Sequence, residues 1–467
     1  MLRDRRISPL ELAEVHIRAI TALNPSLNAI VAWDAEQIRE QARRVETSGA
    51  QRGPLAGLPL TIKSSIPVAG SHCSIGRHLR RHSIAAHDAV VVARLRAAGA
   101  IILGTTNCPE FLMAYESDNL LHGRTANPWN LAVTAGGSSG GESAAIAAGL
   151  SAAGFGSDSG GSVRVPAHFT GICSLKPTPG RIPAFDHEPP CFGPFAILGA
   201  IGPMARTMAD IALLFETVSG SSLDDPQGSP VPLRPCSIED AREIPIGYFE
   251  DDGLVPVTRE TRQAVQAAVQ ALRRRGFSVS PFRPQALEEA RRLWWKFFVR
   301  GGAMFVRAAI AGTDEPISPV LQEFLSIAAE EPPLTGDELL NAWFACDVVR
   351  QRLLHEMRDY PILLCPACAI PAFGHGERSW QIDGVAVSYL DAMRYTQWFN
   401  LLGAPAAVVP VGQSQTGLPI GVQIAGRPYQ DEQVIAIARV IDQEFGYQPP
   451  PLPLVAQSHQ HRAAPDA

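Results

Sequence analysis

The sequence predicts an α/β protein, and three observations carry that prediction. Residues 88–98 are helix formers that pass through Gly99 into the apolar run 100–104, which reads as helix, tight turn and buried strand. Residues 57–63 alternate, Leu60 and Ile62 against Thr61 and Lys63, the period of a strand that buries one face and aims Lys63 away from it. The chain has 467 residues, 46% apolar and 18% charged, an ordinary globular composition with ample material for a large core.

The other elements follow in chain order. Ser8 caps a helix, Pro9 takes its first position and Glu11 closes a capping box. Leu10, Leu12, Val15, Ile17 and Ile20 fall mostly on one face, so the helix is predicted to run to about Leu23, where Asn24-Pro25 stops it. A second helix is predicted over residues 35–46; both wrap the core and carry no chemistry. Residues 142–149 are good helix formers without proline, set between two glycine loops. Residues 286–350 hold Trp294, Trp295, Phe297, Phe298, Phe305, Trp343 and Phe344 at helical spacing, for core packing or for lining an apolar pocket. Cys365-Pro-Ala-Cys368 ends a buried strand entering a proline turn; a redox or zinc role lacks a second pair. A last helix covers residues 431–444, and a disordered tail is expected from Gln448.

Composition excludes several classes. A net charge of -6 without a basic run argues against a nucleic-acid partner. No run of eighteen apolar residues predicts a membrane span, and the N-terminus lacks the apolar stretch of a signal peptide. Eight scattered cysteines do not form a disulfide framework. The expectation is a soluble, cytoplasmic protein with no cofactor and no metal.

The chemistry gathers in two loops, Gly136-Gly137-Ser138-Ser139-Gly140-Gly141 and Asp158-Ser159-Gly160-Gly161-Ser162. Glycine lets successive N–H groups converge on one point, and a helix starting after the first loop adds a positive dipole end. Two such loops, each presenting a serine, suit an oxyanion site better than a packing motif. No Lys-Ser/Thr follows the glycines, which excludes a Walker P-loop. Gly136, Ser138 and Gly140 also fit the nucleophile elbow of α/β-hydrolases, with Ser138 as nucleophile and His168, His187, His355 or His375 as partner.

The loops extend into longer motifs: Asp158 to Pro166 reads Asp-x-Gly-Gly-Ser-Val-Arg-x-Pro, and Gly171 to Arg181 reads GICSLKPTPGR. Lys63 lies 75 residues before Ser138, and Ser162 lies 24 after it. This pattern resembles the amidase signature family of serine hydrolases, and is most like its bacterial broad-range amidases and carbamate-cleaving, urethanase-type members. Residues 106–111, 199–220, 403–412 and 417–427 are similar to the family too, whereas 220–350 resemble it least. The resemblance implies a large mixed twisted β-sheet covered by helices on both faces, forming one domain over residues 1–447. Within it lie N-terminal helices at 1–50, a signature core at 53–220, a variable substrate-side helical region at 220–360 and a C-terminal core at 361–447, before a tail at 448–467.

It also implies roles. Ser162 is the nucleophile, neutral Lys63 the base, and Ser138, held by a cis peptide after Gly137, passes the proton between them. Backbone N–H groups of Ser159, Gly160, Gly161 and Ser162 form the oxyanion hole. Asp158 and Arg164 pair structurally across the turn, Ser139 helps hold Lys63, and Met113, Tyr115 and the loop around Asn119 approach the substrate. Family members often have an acid directly after the lysine; here Ser64 stands there, which leaves the lysine's local hydrogen bonding open. The implied activity is cleavage of C–N bonds in small-molecule amides through an acyl-enzyme, extending to esters and carbamates, by a monomer or homodimer. The alternatives are an A-type subunit of a glutamyl- or aspartyl-tRNA amidotransferase complex, in which Glu142's position usually holds a small residue, and the elbow-type hydrolase.

Overall fold

Short apolar runs pair edge to edge into one mixed sheet of eleven strands in the computed structural model, which describes residues 1–2, 4–47, 53–191, 193 and 196–451. In chain order the strands are β1 (Ile30–Ala32), β2 (Pro59–Lys63), β3 (Ile101–Thr106), β4 (Ala126–Asn127), β5 (Asn130–Thr134), β6 (Ala153–Asp158), β7 (Cys173–Lys176) and β8 (Ala200–Ala205). They continue with β9 (Ile246–Tyr248), β10 (Val279–Pro281), β11 (Ile362–Pro366), β12 (Ser379–Ile382), β13 (Val385–Ser388), β14 (Ala406–Gln413) and β15 (Pro419–Gly426). The pairs β4/β5 and β12/β13 form separate ribbons, and the main sheet runs β1-β3-β2-β6-β8-β7-β14-β15-β11-β9-β10. β3, β2 and β6 are parallel. The centre, from β6 to β11, is antiparallel, and β11, β9 and β10 are parallel again.

Helices cover both faces. Ile102 of β3 joins a core with the helices Val90–Ala97, Met208–Val218, Arg259–Arg274 and Asp431–Phe445. Its neighbours Ile101 and Leu103 face the opposite core, under Pro9–Leu27 and Ala35–Thr47. That alternation is the period-two rule of a strand buried on both sides. The register between β2 and β6 positions the site: Ile62 lies opposite Phe155, which brings Lys63, at the end of β2, beside the last residues of β6.

Several expectations are corrected. The first helix does not stop at Asn24-Pro25 but runs to Leu27, with Pro25 inside it. Pro25 removes one N–H near the helix end, and the turn is held instead by Asn24, whose carbonyl accepts from Asn28 and whose Oδ1 accepts from the amides of Ala29 and Ile30. Its buried face is Ala13, His16, Ile17, Ile20 and Leu27, while Val15 is exposed. β2 is buried on both faces, since Thr61 and Lys63 lie under the helix Gly140–Ala147. Of the predicted tail, residues 452–467 lie outside the described residues.

Candidate active site

Lys63 is completely buried, and its Nζ has hydroxyls rather than carboxylates for partners: Ser138 Oγ at 2.6 Å and Ser157 Oγ at 3.1 Å. Burial lowers its pKa to about 8, only partly offset by the more distant Cys108, Asp158, Cys191 and Glu142. A lysine so placed exchanges its proton near neutral pH and can take one from Ser138.

The two glycine loops meet at this amine. The peptide bond Gly137–Ser138 is cis. Ser139 N–H donates to the carbonyl of Ser162 at 3.1 Å, tying the first loop to the second. The helix behind the first loop spans Gly140–Ala147, starting two residues earlier than predicted. Ser138, Ser157, Ser159 and Ser162 open into one cavity of about 540 Å³, otherwise walled by residues 111–113, Phe298, Phe305 and the loop from His187 to Cys191. A second apolar recess, about 330 Å³, meets it at Ser162 and Met113 and is closed by Tyr115, Trp294 and Phe324.

The turn before Ser162 is braced from outside. Trp294 Nε1 donates to the carbonyl of Ser159 at 2.8 Å, and Tyr115 Oη and Thr396 Oγ1 donate to that of Gly160 at 2.8 and 2.7 Å. In a trans peptide the N–H points opposite the carbonyl, so the Gly160 amide is turned away from Trp294. Gly161 sits at φ +122°, where a Cβ would come within 2.3 Å of Thr396 Oγ1; only glycine fits. Its N–H donates to Asp158 Oδ1 at 2.8 Å. Of the four expected oxyanion donors Gly161 is therefore engaged elsewhere, and the amides of Ser159, Gly160 and Ser162 remain.

Asp158 also takes both arms of Arg164, at 2.8 and 3.0 Å, and Asn400 Nδ2 at 2.9 Å. Arg164 reaches further to Gln423 Oε1 at 2.7 Å and the Thr396 carbonyl at 2.9 Å. Both ions are fully buried. Burial alone would raise the Asp158 carboxyl, but the Arg164 guanidinium holds it far below the usual range.

Other expected residues divide. Met113 lines both recesses. Tyr115 closes the smaller one and acts on the turn through its hydroxyl. Asn119 does not reach either cavity: its side chain bonds Asn107, the Cys108 carbonyl and the amides of Leu121 and His122. Ser139 does not hold Lys63; its Oγ bonds the backbone of Ser157, whose own hydroxyl takes the lysine. Ser64 contacts the Cys108 thiol. Of the aromatic run, Phe298 and Phe305 line the cavity and Trp294 braces the turn, while Phe297 is core and Phe344 is exposed.

Sequence reasoning missed Ser157, and named His187 only as one of four candidate histidines for the elbow-type alternative. His187 Nε2 lies 2.8 Å from Ser157 Oγ and 3.0 Å from Ser65 Oγ, not on Ser138. His168 is spent on Gly421 and Ile370. The serine-on-histidine pair of a nucleophile elbow is thus absent at Ser138 among the described residues. Glu142, buried under β2, bonds Thr61 and Thr106, and burial raises its carboxyl to about 8. Among the described residues no group of three His, Cys, Asp or Glu is placed to hold a metal, and no helix is long and apolar enough to cross a membrane.

Comparison with known proteins identifies the family. The family model "Amidase" matches residues 11–435. An indoleacetamide hydrolase from Bradyrhizobium diazoefficiens is 32% identical over 455 residues, covering 95% of this chain and 85% of that one. The A-type subunit of a glutamyl-tRNA(Gln) amidotransferase from Roseiflexus castenholzii is 31% identical over 463 residues, covering 94% and 92%. The crystal structure of a bacterial aryl acylamidase superposes with a TM-score of 0.82 at 27% identity, covering 94% of each chain. The chain belongs to the amidase signature family and is an amidohydrolase.

Proposed function

We propose that the protein hydrolyses small amides whose acyl part is aryl or otherwise apolar, through an acyl-enzyme on Ser162, and that it accepts esters and carbamates as well. The observation that carries this is the Lys63–Ser138 contact of 2.6 Å at the floor of an aromatic-walled cavity that also holds Ser162. Lys63 draws the Ser138 proton, Ser138 draws that of Ser162, and Ser162 Oγ attacks the carbonyl carbon. The amides of Ser159, Gly160 and Ser162 receive the oxyanion. The proton returns through Ser138 to the leaving nitrogen, the C–N bond breaks, and the acyl group stays on Ser162. Water then repeats the sequence and releases the acid. Replacing the leaving nitrogen by oxygen changes only the group that is protonated, which is why esters and carbamates are included.

The test is a panel of aryl and indole acetamides, short aliphatic amides, aryl esters and aryl carbamates, with Ser162→Ala as control. Turnover of aryl amides above aliphatic ones, with ester and carbamate cleavage lost in the same variant, is expected. The amidotransferase reading, favoured by the Roseiflexus relative, predicts no hydrolysis of any free amide by this chain alone.

A further inference from the structure

We infer that His187 is a positioning residue that fixes the direction of the hydrogen-bond chain on Lys63, so that the amine's lone pair is left to Ser138. The inference rests on reading Lys63 as the base. His187 Nδ1 lies 2.9 Å from the carbonyl oxygen of Pro189. A carbonyl has no hydrogen to give, so Nδ1 carries the ring proton and Nε2 is the acceptor. Nε2 has one lone pair for two hydroxyls, and the nearer, that of Ser157 at 2.8 Å against Ser65 at 3.0 Å, is the one that donates to the ring. Having given its only hydrogen to His187, Ser157 can meet Lys63 Nζ, at 3.1 Å, only as an acceptor. A neutral lysine has two hydrogens and one lone pair. One hydrogen is taken up by Ser157, and the lone pair is not contested by it. Ser138, at 2.6 Å, is then the hydroxyl that donates to it. Ser65, 3.0 Å from the same ring nitrogen, and the amide of Glu188, which donates to the Ser65 carbonyl at 2.8 Å, seat the loop that carries the ring. Burial, and Lys63 beside it, lower the His187 pKa to about 4, which keeps the ring in its accepting form through the working range.

Without that acceptor the Ser157 hydroxyl is free to turn and donate to Lys63. The neutral amine is then stabilised and its lone pair is occupied. The two effects separate: the acid limb of the pH profile moves to lower pH, and kcat falls. The titratable groups facing this chain are Cys108, Cys191, Asp158 and Glu142 on Lys63, and Cys191 on His187 Nδ1 at 3.6 Å. Burial raises Cys191 to about 12 and Cys108 upward, and Asp158 stays ionised. Glu142 titrates near Lys63 but hydrogen-bonds to neither Ser157 nor His187.

The experiment compares pH profiles of kcat and KM for the wild type, His187→Asn, His187→Gln and Lys63→Ala on one aryl ester or amide. Asparagine keeps a donor for Pro189 but offers nothing at the Nε2 position; glutamine keeps an oxygen there. The expected result is a fall in kcat on the order of ten- to a hundredfold in His187→Asn, with the acid limb displaced downward and KM unchanged, and near-wild-type behaviour in His187→Gln. Asparagine behaving as wild type, or both variants losing rate with the limb unmoved, overturns the inference. Should a His187 variant not fold, Ser157→Ala removes the acceptor that Lys63 meets but leaves no hydroxyl to occupy the lone pair, so the acid limb is expected to move downward with a fall in plateau kcat of less than about tenfold; an unmoved limb or a larger fall overturns the inference too. Lys63→Ala keeping its rate would instead overturn the base assignment, a distinguishable failure.

Discussion

Two fully buried cations of this protein, Arg164 and Lys63, differ in their partners. Arg164 is enclosed by Asp158, Gln423 and Asn400, so its charge is permanent and matched. Lys63, equally buried, has among the described residues only hydroxyls as hydrogen-bond partners, and its charge is easily lost. The partner, not the burial, decides whether a buried cation keeps its charge. Asp158 links the two, because the carboxylate that matches Arg164 also takes the amides of Gly161 and Val163 and so shapes the turn that presents Ser162.

The largest effect that sharpens this contrast is on activity. Lys63→Met is expected to lower kcat by about 10²–10⁴-fold, the usual worth of a positioned proton acceptor, in steady-state assays. The same variant is expected to leave the thermal midpoint unchanged or raised, since it removes a buried, weakly compensated amine. Asp158→Asn should do the reverse in kind: breaking a buried pair costs about 3–5 kcal/mol of stability, read by denaturant unfolding. If Lys63→Met were the less stable of the two, the contrast would be broken.

The smallest effect is a control. Lys176 is also fully buried, bonded among the described residues only to the Pro177 carbonyl at 2.9 Å, and burial lowers its pKa to about 7. It lines neither cavity at Ser162. Below pH about 8 Lys63 gains its proton and cannot accept another, so kcat/KM should fall by about tenfold per pH unit on that side. Lys176→Met is expected to leave that limb in place. A limb that moves with Lys176 would assign the titration to the wrong lysine.

Much of the site was legible in the sequence because glycine and serine spacing are local. The two loops, the strand-ending lysine and the Asp158–Arg164 pair are each set within a few residues, and the sheet's α/β character follows from period two beside helix formers. What was not legible depends on distant pairing. Which hydroxyl meets Lys63 is decided by the β2/β6 register, 94 residues apart, and so Ser157 was overlooked in favour of Ser139. The Gly161 amide looked available because nothing in a glycine run shows that Asp158 folds back to take it. Pro25 looked like a stop because Asn24's side-chain bonds to Ala29 and Ile30 exist only once the chain has turned. Asn119 likewise serves the loop it sits in.

The central claim, that Ser162 attacks and Lys63 draws its proton through Ser138, is tested most directly by labelling the protein with a fluorophosphonate and locating the modified serine by peptide mass spectrometry, with Lys63→Ala alongside. Label on Ser162, greatly slowed in Lys63→Ala, is the result expected. Label on Ser138, indifferent to Lys63, would contradict it.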